Sequence, residues 1–190
     1  MSLITKILIP LADGVEEMEA VTPIDLLRRA DFSITTAAVG KSIHIIGKNA
    51  IGFTADRMLK DIKPEEMDAI IIPGGPAIFD LLEDENLHRF IHYFQSQKSP
   101  IGAICAAPLL LQKLGILKDK KFTGHRCIEE TMPTLDKRKA VVVDDNIITS
   151  RGAGTATPFA LTLIELWKGK KIADQIADDI HWNPSGKYRE

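Results

Sequence analysis

Three short apolar runs constrain this chain more than any other feature: Lys6 to Leu11 (KILIPL), Asp68 to Pro73 (DAIIIP) and Pro100 to Ile104 (PIGAI). None alternates polar with apolar residues. A strand with one face in water alternates, whereas a short continuous apolar run suits a strand covered on both faces, as in a parallel sheet flanked by helices. Helical spacing follows the first run. In GVEEMEAVTPIDLLRRA, Met18, Val21, Leu26 and Leu27 fall roughly on one face, and Arg28 and Arg29 sit favourably near the C-terminal end. Pro23 has no N–H for the carbonyl of Glu19, so this helix is expected to kink or restart, with Thr22 and Asp25 as a capping-box-like signal.

The remaining segments continue the alternation. Phe32 to Val39 reads as a strand, Ser42 to Asp56 as a peripheral hairpin around GKN, and Ile78 to Gln97 as helical. The strand ending at Ile104 is followed at once by a helix, APLLLQKLG, that closes at Gly115. Lys121 to Gly124 is a short candidate strand, AVVV and NIITS form two strands turned at Asp144-Asp145, and a last helix runs from about Thr155 to Lys168. The expectation is an α/β fold: a doubly wound, mostly parallel sheet with a small antiparallel addition. With no internal repeat or linker, residues 1–190 read as one domain whose tail is flexible from about Asn183.

Composition narrows the function classes. Hydrophobic residues are 45% and charged residues 26% of the chain, which excludes a disordered or fibrous protein. A net charge of -2 with scattered lysines and arginines offers no field for a phosphate backbone, so no specific nucleic-acid partner is expected. The apolar start is too short to span a membrane and leads to no cleavage site, so no membrane partner is expected. Two cysteines that form no CxxC pair fit a reducing cytoplasm better than a disulfide framework.

One segment points to chemistry. In SPIGAICAAPLLLQKLG an apolar strand ends at Cys105 and a helix is expected within about two residues, with Gly102, Ala103, Ala106 and Ala107 around the turn. Such an elbow lifts its apex side chain above the sheet and aims free helix N–H groups at it, which favours thiolate and lowers a cysteine pKa. The ordinary meaning of a lone cysteine is a small apolar core residue. The elbow, at the carboxyl end of a strand where open α/β sheets bind ligands, favours the reactive one.

Pro73-Gly74-Gly75-Pro76 follows another buried strand, so its N–H groups could face the same crevice and bind an oxyanion; a plain Gly/Pro turn is the alternative. Glu16, Glu17 and Glu19 open the first helix. They could merely compensate its dipole, and spacing alone does not choose among them, but one pointing at a thiolate would have a raised pKa and could move protons. His125 in FTGHRC is the histidine best placed for acid/base work, unless it is simply a surface loop residue. Cys127 completes only a His-x-Cys pattern, too little for a zinc site, so no metal is expected. Resolution of an oxidised Cys105 by Cys127 needs proximity that sequence does not show. GAG at 152–154 is not a dinucleotide fingerprint.

Taken in order, LADGVEEMEAVTPIDLLRRA, IIIPGG, IGAICAAP, TGH and TSRGAGTATPFAL resemble the ThiJ/PfpI family over about Lys6 to Lys170, within it the Parkinson disease protein deglycase branch. The resemblance implies a flavodoxin-like, class I glutamine amidotransferase-like sandwich that is usually a homodimer. It implies that Cys105 is an oxidation-prone nucleophile, that Glu19 is protonated against its sulfur, that His125 assists, and that the N–H groups of Gly75 and Ala106, beside Gly74, receive the oxyanion. The implied activity is a cofactor-free glyoxalase (lyase) or protein deglycase (hydrolase) acting on methylglyoxal, related dicarbonyls and glycated protein adducts in the oxidative stress response. Two alternatives share the site: a redox sensor or chaperone acting through Cys105 oxidation, and a cysteine peptidase or amidase pairing Cys105 with His125. Mammalian members of the branch carry extra cysteines and an arginine around the peripheral hairpin, where this chain offers Lys48 or Asn49.

Overall fold

The computed structural model describes residues 4–185. The element order is β1 (Lys6–Leu11), α1 (Glu17–Arg29), β2 (Ser33–Ala38), β3 (His44–Ile46), β4 (Gly52–Thr54), β5 (Arg57–Met58), β6 (Ala69–Ile72), α2 (Ala77–Leu81), α3 (Glu85–Ser96), β7 (Ile101–Ile104), α4 (Pro108–Lys113), β8 (Val141–Asp144), β9 (Ile147–Ser150), α5 (Ala156–Lys168) and α6 (Lys170–Asp179). Seven strands form one sheet in the order β5-β2-β1-β6-β7-β9-β8, parallel except for the antiparallel pairing of β8 with β9. The expected hairpin is present as a separate antiparallel pair, β3 with β4. This is the flavodoxin-like, glutamine amidotransferase-like architecture that the apolar runs and the resemblance lead one to expect.

The three runs earn their positions by burial. Every residue of β6 and β7 is buried, and Ile7, Leu8 and Ile9 in β1 are no more than 1% exposed. From β1 the chain moves outward to β2, but from β6 it moves the other way to β7. Right-handed crossovers in opposite directions place their helices on opposite faces. Accordingly α1, α5 and α6 pack together, while α3 packs on β6 and β7. Strand order therefore reverses beside β1 and β6, and the crevice at their carboxyl ends is where such sheets place a site.

Several expectations need correction. The first helix does not restart at Pro23: α1 is continuous from Glu17, and its N-cap is Glu16, whose carboxylate accepts from the Glu19 N–H at 2.9 Å. The lost Pro23 bond falls late enough that a full turn already precedes it. The long helix expected at 78–97 is two, because Asp84 caps a new start by accepting from the Leu87 N–H. Lys121 to Gly124 is not a strand, since its donors find side chains rather than a ladder: Lys121 N–H binds Asp144 and Thr123 N–H binds Thr149 Oγ1. Among the described residues the last helix is α6, whose Ala173 and Ile176 are buried. Of the expected tail, Asn183–Ser185 lie in a turn region, and residues 186–190 lie outside the described residues.

Candidate active site

Cys105 follows the last residue of β7 with φ +67°, a left-handed conformation that side chains other than glycine's rarely adopt. Two backbone bonds hold it there. Its N–H donates to the Ser150 carbonyl at the end of β9 (3.0 Å), and its carbonyl accepts from the His125 N–H (2.9 Å). Strain that the surroundings enforce at a strand end is the mark of a functional elbow. The helix follows where expected, with Ala107 as N-cap and α4 starting at Pro108, but it is only six residues long, so its dipole does little for the sulfur.

The glutamate is Glu19. The loop after β1 and the loop after β6 are zipped together, with the Glu16 N–H donating to the Gly74 carbonyl (3.1 Å) and the Gly74 N–H donating to Glu19 Oε2 (3.0 Å). Glu19, 2% exposed, is also hydrogen-bonded to the Cys105 thiol. Burial, chiefly, and the neighbouring Glu16 charge raise its pKa to about 7, against the pull of the Cys105, Gly74 and Lys48 interactions. The thiol is also pushed up, by burial first and then by the charge and hydrogen bond of Glu19, while the Gly75 N–H pulls the other way. The elbow alone suggests a lowered thiol pKa. The structure instead couples the thiol to a buried carboxyl, and both groups hold their protons more tightly than they would in water.

Gly74 and Gly75 divide the roles assigned to them. The Gly74 N–H is committed to Glu19, so Gly74 positions the carboxyl and is not a free oxyanion donor. A Cβ on Gly74 would lie 2.6 Å from both the Cys105 Cβ and Glu19 Oε2, which is why only glycine fits. The Ala106 N–H donates to no acceptor among the described residues, and the Gly75 N–H is directed at the Cys105 sulfur. They are the available donors for an oxyanion.

His125 reaches the site through its backbone, but its ring makes no hydrogen bond to the Cys105 thiol among the described residues. Instead Nδ1 accepts from the Cys127 N–H at 3.2 Å, which assigns the proton of the neutral ring to Nε2. Burial first, then Arg126, Lys48 and Arg151, lower its pKa. The ring borders an open pocket of about 370 Å³ lined also by Arg126, Arg151, Gly152 and Thr155. A Cβ on Gly152 would lie 3.4 Å from His125 Cδ2 and 3.5 Å from Glu19 Oε1, so this glycine joins the pocket to the carboxyl. In the sequence GAG at 152–154 is weighed only as a dinucleotide fingerprint and set aside; its place after β9, level with Cys105, is the signal that could have found Gly152. A cavity of about 510 Å³ beside Trp167 and Asn146 lies at the opposite, amino-terminal ends of the strands and contains none of these groups. Cys127 is exposed and unpaired. Among the described residues, no three His, Cys, Asp or Glu side chains are grouped to hold a metal ion.

Comparison with known proteins follows the same residues. The DJ-1/PfpI family model matches residues 5–166. The chain is 36% identical to Protein DJ-1 homolog B of Arabidopsis thaliana over 90% of its own length but 40% of that protein's, and spans 44% of the Arabidopsis homolog A. It is 33% identical to the Parkinson disease protein 7 homolog of Danio rerio, covering 90% of this chain and 94% of that one. Among solved structures, oxidized DJ-1 of Toxoplasma gondii superposes with TM-score 0.89 at 31% identity, covering 94% of this chain and 98% of that one. DJ-1beta of Drosophila melanogaster superposes with TM-score 0.90 at 30% identity, with the same two coverages.

Proposed function

The chain belongs to the DJ-1/PfpI family, and on that premise we propose that it is a stress-response enzyme that converts small 2-oxoaldehydes, and their early protein adducts, without a cofactor. The observation that carries this reading is the buried hydrogen bond between Glu19 and Cys105 beside the Gly75 N–H, directed at the sulfur, and the unoccupied N–H of Ala106. With a pKa of about 7, Glu19 can take the thiol proton as the sulfur attacks and return it later.

For methylglyoxal, the Cys105 sulfur bonds to the aldehyde carbon as Glu19 takes the thiol proton, and the Gly75 and Ala106 N–H groups receive the oxygen's developing charge. A proton then moves from that carbon to its neighbour through an enediol, with Glu19 or His125 as carrier, leaving a lactoyl thioester. Water hydrolyses it to lactate, and the thiol is restored. One methylglyoxal and one water give one lactate and one proton. A Cys105–His125 peptidase dyad lacks the side-chain bond it needs, whereas a redox role through Cys105 oxidation uses the same Glu19 contact and is the second reading.

The protein is further proposed to be a cytoplasmic homodimer. No helix among the described residues is long and apolar enough to cross a membrane. Met18 and Val21 on α1, with Ile46 and Ile51 beside the hairpin turn, are large apolar side chains left about half exposed, and a second copy would cover them. Lactate formation from methylglyoxal, without glutathione or metal, by freshly reduced wild type, Cys105→Ala and Glu19→Gln tests the activity. Loss in both variants supports the assignment. No turnover in reduced wild type leaves the redox role.

A further inference from the structure

The loop of the β3–β4 hairpin is fastened to the site. Asn49 donates twice to the buried Glu17 carboxylate, from its backbone N–H (2.6 Å) and from Nδ2 (2.8 Å). Gly47 leaves no room for a side chain, since its Cβ would lie 2.4 Å from Glu17 Oε1. The Lys48 N–H donates to the Val15 carbonyl (2.8 Å), and the backbone of Val15 and Glu16 packs against Gly75. The residue between two such anchors is held one packing layer from an oxyanion donor. Its exposed ammonium acts on Glu19 in α1 and on His125 and Cys127 in one loop after α4. Arg126, which lines the pocket with His125, is exposed and also acts on His125.

Cations normally collect carboxylates, and this mouth has carboxylates nearby that are already satisfied. Glu17 is bound by Asn49, and Glu129 by Lys137 and Arg151. Among the described residues, neither Lys48 nor Arg126 has a carboxylate within salt-bridge distance. Two unpaired cations at the entrance to a buried nucleophile raise the local concentration of anions there. We infer that Lys48, with Arg126, is a specificity-determining pair that draws ligands bearing a carboxylate to Cys105. Within the reaction proposed above, on which this part of the inference rests, the favoured substrates are 2-oxoaldehydes that carry a carboxylate at the end remote from the aldehyde.

Two reagents of nearly one shape test the anion selection without turnover. Iodoacetate and iodoacetamide both form a sulfur–carbon bond to Cys105 and release iodide, and they differ in charge. The ratio of their rate constants cancels any change in thiolate fraction that a substitution causes. In protein carrying Cys127→Ser, so that Cys105 alone is followed, the iodoacetate to iodoacetamide ratio should fall roughly threefold or more in Lys48→Met and further with Arg126→Met, and should fall with added salt. Lys171→Met, a change at an exposed helix position of α6, should leave it unchanged. A ratio indifferent to Lys48, Arg126 and salt overturns the inference.

Turnover then addresses substrate class. Judged by kcat/KM, wild type should prefer the anionic aldehyde 4,5-dioxopentanoate to the neutral 2-oxopentanal, and this preference should drop in Lys48→Met. If 2-oxopentanal is converted and the preference is absent or reversed, the substrate class is wrong while the reaction stands. If neither aldehyde reacts but the alkylation ratio still follows Lys48, the reaction is wrong while anion selection stands.

Discussion

The carboxyl of Glu19 and the thiol of Cys105, delivered by α1 and by the end of β7, are hydrogen-bonded to each other where they are 2% and 8% exposed. Such a pair loses its first proton as a unit, and burial with like charge delays the second. With Glu19 raised to about 7, iodoacetamide alkylation of Cys105 should climb through an apparent midpoint near that value. An ordinary thiol would titrate near ~8.5. In Glu19→Gln the neutral-range midpoint should vanish, leaving one ionisation that belongs to the thiol. A single step at the ordinary thiol value in wild type would show that the carboxyl does not act on the sulfur.

The same carboxyl makes folding stability depend on pH. Its pKa rises from 4.5 to about 7 on folding, so the fold favours the protonated form. That contribution is complete below the unfolded value and is lost as pH rises through the folded one, with a full span of about 3 kcal/mol. Glu19→Gln keeps the shape without the charge. Urea unfolding should therefore show this variant gaining on wild type between about pH 5 and about pH 8. A difference independent of pH would mean that Glu19 is not held above its ordinary value.

Much of this was legible in sequence because it rests on local signals. KILIPL matches β1 to the residue, and the AIC run places Cys105 one residue beyond β7. Choosing Glu19 over Glu16 and Glu17 came from the resemblance alone, because all three are buried and their separate jobs are tertiary. Glu16 caps α1, Glu17 holds Asn49, and Glu19 meets the thiol. The thiol's pKa direction was misjudged for the same reason: the partner that sets it is far away in sequence. Gly152 was missed because what needs its small size is His125 and Glu19, brought near only by the packing of β9 beside β7.

Gly74 and Gly75 should respond differently to one added methyl group. Gly74→Ala forces a Cβ to 2.6 Å from the Cys105 Cβ and Glu19 Oε2 and 2.9 Å from the Ile104 carbonyl oxygen; of these only the Glu19 carboxyl is the end of a flexible side chain, and it shifts at the expense of the site. It should cost about 1–3 kcal/mol and abolish turnover. Gly75→Ala meets backbone on both sides, 2.5 Å from Gly14 O and from Glu16 N, at φ +100°. It should be the more destabilising of the two. Gly154→Ala, with nothing within 4 Å, should change thermal stability little. Equal melting temperatures for all three would contradict the packing described for the β6 loop.

His125 provides the separation between a proton carrier and a dyad base. Its Nδ1 is occupied by the Cys127 N–H, its pKa is held down mainly by burial, and its ring borders the pocket rather than bonding the sulfur. The neutral ring can carry a proton on Nε2 for the enediol step, but nothing couples it to ionisation of the thiol. His125→Gln is therefore expected to lower kcat for methylglyoxal while leaving the midpoint of Cys105 alkylation where Glu19 sets it. If the substitution instead moves that midpoint as far as Glu19→Gln does, His125 is the partner of the thiol in solution. The peptidase-like dyad would then replace the carboxyl–thiol pair as the working unit of the site.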